Sequence, residues 1–239
     1  MPPESNLPVL TGLQVVLGAG SGGLVGFMLG LVGGGGSILA VPLMIYVVGV
    51  HDPHVAIGTS ALAVAANAAV GLFHHARQRN VIWRCGGMYA LAGIFGALAG
   101  STLGKHVDGA RLLFLFALVM ILVGIMMLRD RHDAGVAGAV CDRGNAAKVL
   151  SFGFGTGVFS GFFGIGGGFL VVPGLVGSTG MPMHAVGTSL VAVTAFGLTT
   201  SLNYALSGLV DWPLAGVFIA GGAMGSLIGA RGDDHCQTE

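Results

Sequence analysis

Hydrophobic and polar residues fall in long alternating blocks along this chain. The apolar blocks cover residues 13–32, 38–50, 57–73, 86–104, 112–128, 149–163, 169–180, 186–206 and 214–228. A helix needs about 20 apolar residues to cross a hydrocarbon core of roughly 30 Å, and most blocks approach that length. Blocks 38–50 and 169–180 are shorter and reach only about 20 Å as helices. Each short block follows directly on a longer one. The stretch 129–148 holds Asp130, Arg131, His132, Asp133, Asp142 and Arg143 and reads as a linker. Residues 232–239 read as a polar tail. Residues 1–12 lack Lys and Arg, and the first block is long and glycine-striped, which argues against a cleaved signal peptide. The pattern predicts an all-α polytopic membrane protein.

The two halves of the chain match each other. At one constant offset Gly26, Gly30, Gly33, Gly35, Gly36, Leu39, Val41 and Pro42 fall on Gly157, Gly161, Gly164, Gly166, Gly167, Leu170, Val172 and Pro173. At a slightly smaller offset Pro53, Gly58, Thr59 and Ser60 fall on Pro182, Gly187, Thr188 and Ser189, and Trp83 falls on Trp212. Glycine matches are cheap in so glycine-rich a chain, but the Pro, Trp and Gly-Thr-Ser matches are not, and they mark a repeat. The organisation that follows is a first membrane repeat over 1–128, a cytoplasmic linker over 129–148, a second repeat over 149–231 and the tail. Residues 112–128 have no counterpart, so the second repeat is expected to be truncated.

Composition narrows the function. Hydrophobic residues make up 54% of the chain and charged residues 8%, against about 25% charged in a soluble domain. That excludes a cytosolic globular enzyme, a nucleic-acid binder and a disordered protein. The formal net charge is +0, which implies no strongly acidic or basic partner. The 45 glycines fit closely packed membrane helices. Cys85, Cys141 and Cys236 have no metal-ligand spacing, and their odd number argues against a disulfide framework. No metal or cofactor is expected.

Basic residues give the orientation. Arg77, Arg79 and Arg84 crowd the loop before the fourth block, and Arg129, Arg131, Arg143 and Lys148 flank or lie in the linker. The matching second-half loop, residues 207–212, has no base and one acid, Asp211. Lys105 and Arg111 are a weaker counter-signal. Equivalent loops on opposite faces mean inverted repeats, an arrangement found in transporters. The setting expected is a cell inner (plasma) membrane, crossed many times, with lipid and a small anion as partners and homo-oligomerisation left open.

The candidate chemistry lies in two glycine clusters. Gly33, Gly34, Gly35, Gly36 and Ser37 precede Pro42, and Gly164, Ile165, Gly166, Gly167 and Gly168 precede Pro173. Each glycine costs a helix about 1 kcal/mol relative to Ala, so discontinuous or re-entrant helices are expected here, near the midplane. Broken backbone at membrane depth survives only inside protein or along a wet cavity. A helix restarting at such a break aims N–H groups and its positive dipole end at the break, which suits an anion. Spaced glycines such as Gly22, Gly26, Gly153, Gly157, Gly96 and Gly100 fit close helix packing instead.

This doubled motif, from Gly33–Ser37 with Pro42, Pro53 and Gly58-Thr59-Ser60 to its second copy, resembles the sulfite exporter TauE/SafE family of membrane permeases. The resemblance covers about residues 12–231. It implies transport of sulfur-containing anions such as sulfite or organosulfonates. It also implies a further hydrophobic segment after residue 231, which this sequence lacks.

Other polar residues in the blocks are candidates for the same site. Thr59, Ser60 and Asn67 lie in the third block, and Thr188, Ser189 and Asn203 in its second-half copy. The threonines and serines also fit helix capping, and the asparagines fit interhelical hydrogen bonds. His74 and His75 read as interfacial, with a proton-coupling role as the alternative. Trp83 and Trp212 read as interface anchors. The function expected is a permease, not an enzyme, that binds a small anion at the glycine-rich breaks. The alternative is a non-transporting membrane protein that serves as an assembly partner.

Overall fold

The computed structural model describes residues 12–77, 81–129, 146–168, 171 and 185–236. These residues form helices and their connections, with no strand among them. The elements are α1 (Gly12–Val32), a 3-10 segment (Gly33–Leu39), α2 (Ala40–Pro42), a π turn (Leu43–Val47), α3 (Pro53–Arg77), α4 (Trp83–His106), α5 (Gly109–Arg129), α6 (Ala146–Phe163), α7 (Ala185–Ala205) and α8 (Trp212–Cys236). The linker between α5 and α6, most of the short block 169–180, Pro182 and the loop residues 78–80 lie outside the described residues.

Local chemistry sets the helix ends. Pro53 opens α3, where its missing N–H costs nothing, and Asp52 Oδ1 accepts the His54 N–H at 2.9 Å. Asp211 caps α8, accepting the Leu214 N–H at 3.1 Å. Basic residues close α3 (His74, His75, Arg77) and α4 (Lys105, His106), where they oppose the negative helix end. Arg77 also lies over the Phe73 ring at 4.4 Å. Among the described residues, Gly12–Gly30, Pro53–Arg77 and Trp83–His106 are long and apolar enough to cross a membrane.

The helices pack in a matched pattern. α1 runs along α8, and α6 runs along α4. The glycine contacts give the directions. Gly22 lies on Phe218 and Gly26 on Gly222, so α1 and α8 are parallel. Gly157 lies on Gly93 and Gly161 on Ala97, so α6 and α4 are parallel too. α3 and α7 cross between these pairs in opposite directions: Gly58 meets Tyr204 and Leu209, while Gly71 meets Leu190. Each repeat's first helix is therefore clasped by the other repeat's last matched helix.

Glycine makes this clasp possible. A Cβ on Gly22, Gly26, Gly221 or Gly225 would strike backbone across the α1–α8 seam. The same holds for Gly96, Gly100, Gly153, Gly157 and Gly161 across the α4–α6 seam. Lipid gives helices no hydrophobic reason to associate, so close backbone approach supplies the attraction. The spaced glycines are packing devices, as their spacing indicates.

Two hydrogen bonds repeat the same match in atomic detail. The Ile82 N–H donates to Thr188 Oγ1 at 3.1 Å, and the Asp211 N–H donates to Thr59 Oγ1 at 3.0 Å. Both donors stand at the residue before a repeat's final matched helix, α4 or α8, and both acceptors lie in the other repeat. α5 lies to one side, with Leu112 and Phe116 buried and Phe114, Leu118, Ile121 and Leu122 exposed. Such an apolar outer face suits contact with lipid tails.

α8 stays helical to Cys236, so the polar residues 232–236 extend that helix. Cys85 is disulfide-bonded, so one bridge forms although the odd cysteine count supports no framework.

Candidate functional site

The first glycine cluster does not simply interrupt its helix. The chain passes from α1 into 3-10 turns over Gly33–Leu39 and folds back. A Cβ on Gly36 would sit 2.5 Å from the Leu29 amide nitrogen and 2.7 Å from the Met28 carbonyl carbon. Seven residues of straight helix would hold those points about 10 Å apart. Gly36 and Ser37 are buried. The returning segment carries Ala40 and Met44 into the cluster that holds Val25, Leu29, Ala63, Val64 and Ala68. The helix type changes twice more before α3, through α2 and the π turn. Of Gly33, Gly34 and Gly35 the backbone path alone is described.

The second cluster breaks its helix. α6 ends as Gly164 N–H donates to Ser160 O at 2.8 Å. Gly164, Gly166 and Gly167 then take φ values of 67, 63 and 68, a left-handed conformation that side chains other than glycine resist. Helix resumes at Gly168, and Val171 N–H donates to Gly167 O at 2.9 Å. A Cβ on Gly167 would meet Ser160 Cβ at 2.7 Å, so this repeat folds back at the place where Gly36 meets Leu29 in the other.

Gly166 marks the centre. A Cβ there would lie 2.9 Å from Val64 Cγ1 and 3.3 Å from Val193 Cγ1. Val64 and Val193 are matching residues of the two repeats, so the break sits where the repeats meet. Gly164 and Ile165 pack toward Ile57, Phe163 and Tyr204, which closes the centre with apolar side chains.

The remaining candidates divide into three groups. Thr59 and Thr188 are buried and accept the backbone N–H groups of Asp211 and Ile82. Both lie inside their helices, so they anchor the helix that follows in the other repeat and do not cap their own. Ser60 is buried and donates to Ile57 O at 3.0 Å, and Ser189 is buried beside Thr188. Asn203 lies apart, near the Ser207 end of α7. Its Nδ2 donates to Ser101 Oγ at 2.6 Å, and its Oδ1 accepts from Lys105 Nζ at 2.9 Å. Lys105 also donates to Asn203 O and Ser207 Oγ, which ties α4 to α7 and gives this counter-signal lysine a structural role.

Asn67 is different. It is fully buried on α3, and neither Nδ2 nor Oδ1 has a hydrogen-bond partner among the described residues. Gly222 makes room for it, because a Cβ there would fall on the Asn67 amide. The matching pair in the other repeat is Gly93 and Phe196, where a Cβ would fall on the Phe196 ring. Phe196 stacks on Tyr89 at 6.2 Å between centroids, and Tyr89 Oη pairs with Thr156 Oγ1 at 2.7 Å. Sequence reasoning did not single out Phe196, Tyr89 or Ser160. The repeat offset that places Phe196 opposite Asn67 was the available signal.

A model of the sulfite exporter TauE/SafE family matches residues 18–234. A probable membrane transporter protein of Xylella fastidiosa is 52% identical over 223 residues, covering 90% of this chain and 84% of that protein. The probable membrane transporter protein YdhB of Bacillus subtilis is 30% identical over 217 residues, covering 87% of this chain and 86% of its own length. No solved structure matches at a significant level. With apolar helices long enough to cross a bilayer and this match along most of its length, the chain belongs to the sulfite exporter TauE/SafE family and is a multi-pass membrane transporter.

Proposed function

We propose that this protein carries a small sulfur-containing anion, such as sulfite or an organosulfonate, across a cell inner membrane, and that the anion binds at the glycine-rich breaks. The observation that carries the reading is the left-handed turn of Gly164, Gly166 and Gly167 between matching residues Val64 and Val193. Backbone there is freed from regular helix at the meeting plane of the repeats, where a restarting helix favours negative charge. Charged residues are absent from residues 12–32, 54–76 and 185–205, so backbone and neutral polar side chains must do the binding.

The direction of matched helices supports inverted repeats. α1 and α6 correspond, as do α3 and α7, and α4 and α8; the parallel seams and the antiparallel α3–α7 crossing set each pair in opposite senses. Such halves can rock about a fixed central site and open it to alternate faces. Basic residues at Arg77, Arg79 and Arg84 assign that loop to the cytoplasm. The test is flux of sulfite, sulfate, thiosulfate and methanesulfonate into proteoliposomes containing the full chain. Flux of sulfur oxyanions that Gly166→Ala sharply reduces, with the protein still folded, is the expected result. A folded Gly166→Ala protein with wild-type flux would move the site away from the break.

A further inference from the structure

We infer that the protein has one anion pocket and not two: Asn67 forms its recognition group, and Phe196 plugs the matching place in the other repeat. The inference rests on the anion-carrier reading above and says which half does the recognising.

The two niches are built alike. Gly222 on α8 hollows a space that Asn67 enters from α3, and Gly93 on α4 hollows a space that Phe196 enters from α7. The contents then differ. Phe196 fills its niche with a ring stacked on Tyr89, which leaves no amide or charge there. Ser160 adds a single buried hydroxyl near Gly167, without a hydrogen-bond partner among the described residues. Asn67 brings an amide with two N–H donors and a carbonyl acceptor, fully buried and without a hydrogen-bond partner among the described residues. Its neighbours one turn away on α3, Ala63 and Val64, offer nothing polar and belong to the apolar cluster with Leu29 and Phe218. A buried polar group without a partner is costly, and in a membrane interior it is kept where something passes that pairs with it.

The amide also specifies its ligand. Its N–H groups pair with an anionic oxygen, and its carbonyl pairs with an O–H. A singly protonated oxyanion satisfies both, whereas a fully deprotonated dianion leaves the carbonyl unpaired. The cost of burying charge rises steeply with charge, and the helices around Asn67 carry no basic residue within the span to offset a second one. The pocket therefore takes a monoanion that bears an acidic or alcoholic hydroxyl.

The test measures half-saturation and flux in proteoliposomes for hydrogensulfite, methanesulfonate (a monoanion without O–H) and sulfate (a dianion). Hydrogensulfite should be carried best. Asn67→Leu should weaken it by about tenfold or more, the loss expected for a hydrogen bond to a charged group, while thermal stability holds or rises. Asn67→Ala serves as the second variant should the leucine not be accommodated. Gly20→Ala and Gly155→Ala, whose added Cβ meets nothing within 4 Å, should leave affinity unchanged, and Ser160→Ala should weaken it less than Asn67→Leu. Wild-type affinity in a folded Asn67 variant, or a loss confined to Ser160→Ala, would overturn the single Asn67 pocket while leaving anion carriage in place. Absence of flux for every anion in the unmodified protein would overturn both readings.

Discussion

The two glycine clusters align residue for residue in the sequence, yet they fold differently. Gly164, Gly166 and Gly167 turn left-handed and stop α6 outright. Gly33–Leu39 stays helical in the tighter 3-10 form and doubles back on α1. Both outcomes bring the fourth residue of the cluster against a residue seven positions earlier in the helix before it, Gly36 on Leu29 and Gly167 on Ser160. The lesson is that contiguous glycine licenses a fold-back without fixing its backbone path. The rest of each repeat then decides the details, as with Asn67 on one side and Phe196 on the other.

The comparison can be broken most forcefully at the seams. Gly26→Val and Gly96→Val each place a branched side chain on backbone, that of Gly222 and Phe154 respectively. Backbone cannot repack, so each should cost about 3 kcal/mol or more and abolish the folded peak in detergent-solubilised melting and size exclusion. Gly20→Ala and Gly155→Ala meet nothing within 4 Å and should match or exceed the unmodified protein in the same assay.

A middle-sized effect separates the two breaks. Gly166→Ala forces a left-handed residue to carry a Cβ, at about 1–2 kcal/mol, with Val64 Cγ1 only 2.9 Å away. Gly36→Ala meets Leu29 backbone instead. Thermal melts should show both losses, and flux should fall further than stability alone explains for Gly166→Ala. Equal ratios of flux to folded protein in the two variants would make both clusters packing elements.

The smallest effect concerns the paired anchors. Thr59→Val and Thr188→Val each remove an acceptor for a backbone N–H and should cost about 1 kcal/mol. Asp211 caps α8 with its side chain, whereas Ile82 has no side-chain cap for α4. Ile82→Asp should therefore stabilise by about 0.5–1 kcal/mol, while Asp211→Ala should lose a similar amount. Opposite signs in thermal melts check this.

Much of the fold was legible in the sequence, for physical reasons. Lipid demands long apolar helices, and the blocks show them directly. Close seams demand glycine every fourth residue, and Gly22, Gly26, Gly153 and Gly157 supply it. The match between the two halves of the sequence was visible because proline, tryptophan and Gly-Thr-Ser recur. The roles of single polar residues were harder to read. Thr59 and Asn67 lie in the same block two turns apart, and only packing shows that Thr59 accepts an N–H from the second half of the chain while Asn67 has no hydrogen-bond partner among the described residues. Asn203 looked like part of the same set, but its position at the C-terminal end of α7 hands it to Lys105. Extent of burial and partner choice depend on which helix lies alongside, which no local pattern encodes.

The central claim is that one structural unit is used twice, in opposite senses, around the Gly166 break. Cysteine accessibility tests it most directly. Single cysteines at Gln78 and Ser207, on a background with Cys85, Cys141 and Cys236 replaced by alanine, are exposed to an impermeant thiol reagent in intact cells and after permeabilisation. The account predicts that Ser207→Cys reacts in intact cells and Gln78→Cys only once the membrane is opened. Reaction of both positions from the same side would contradict it.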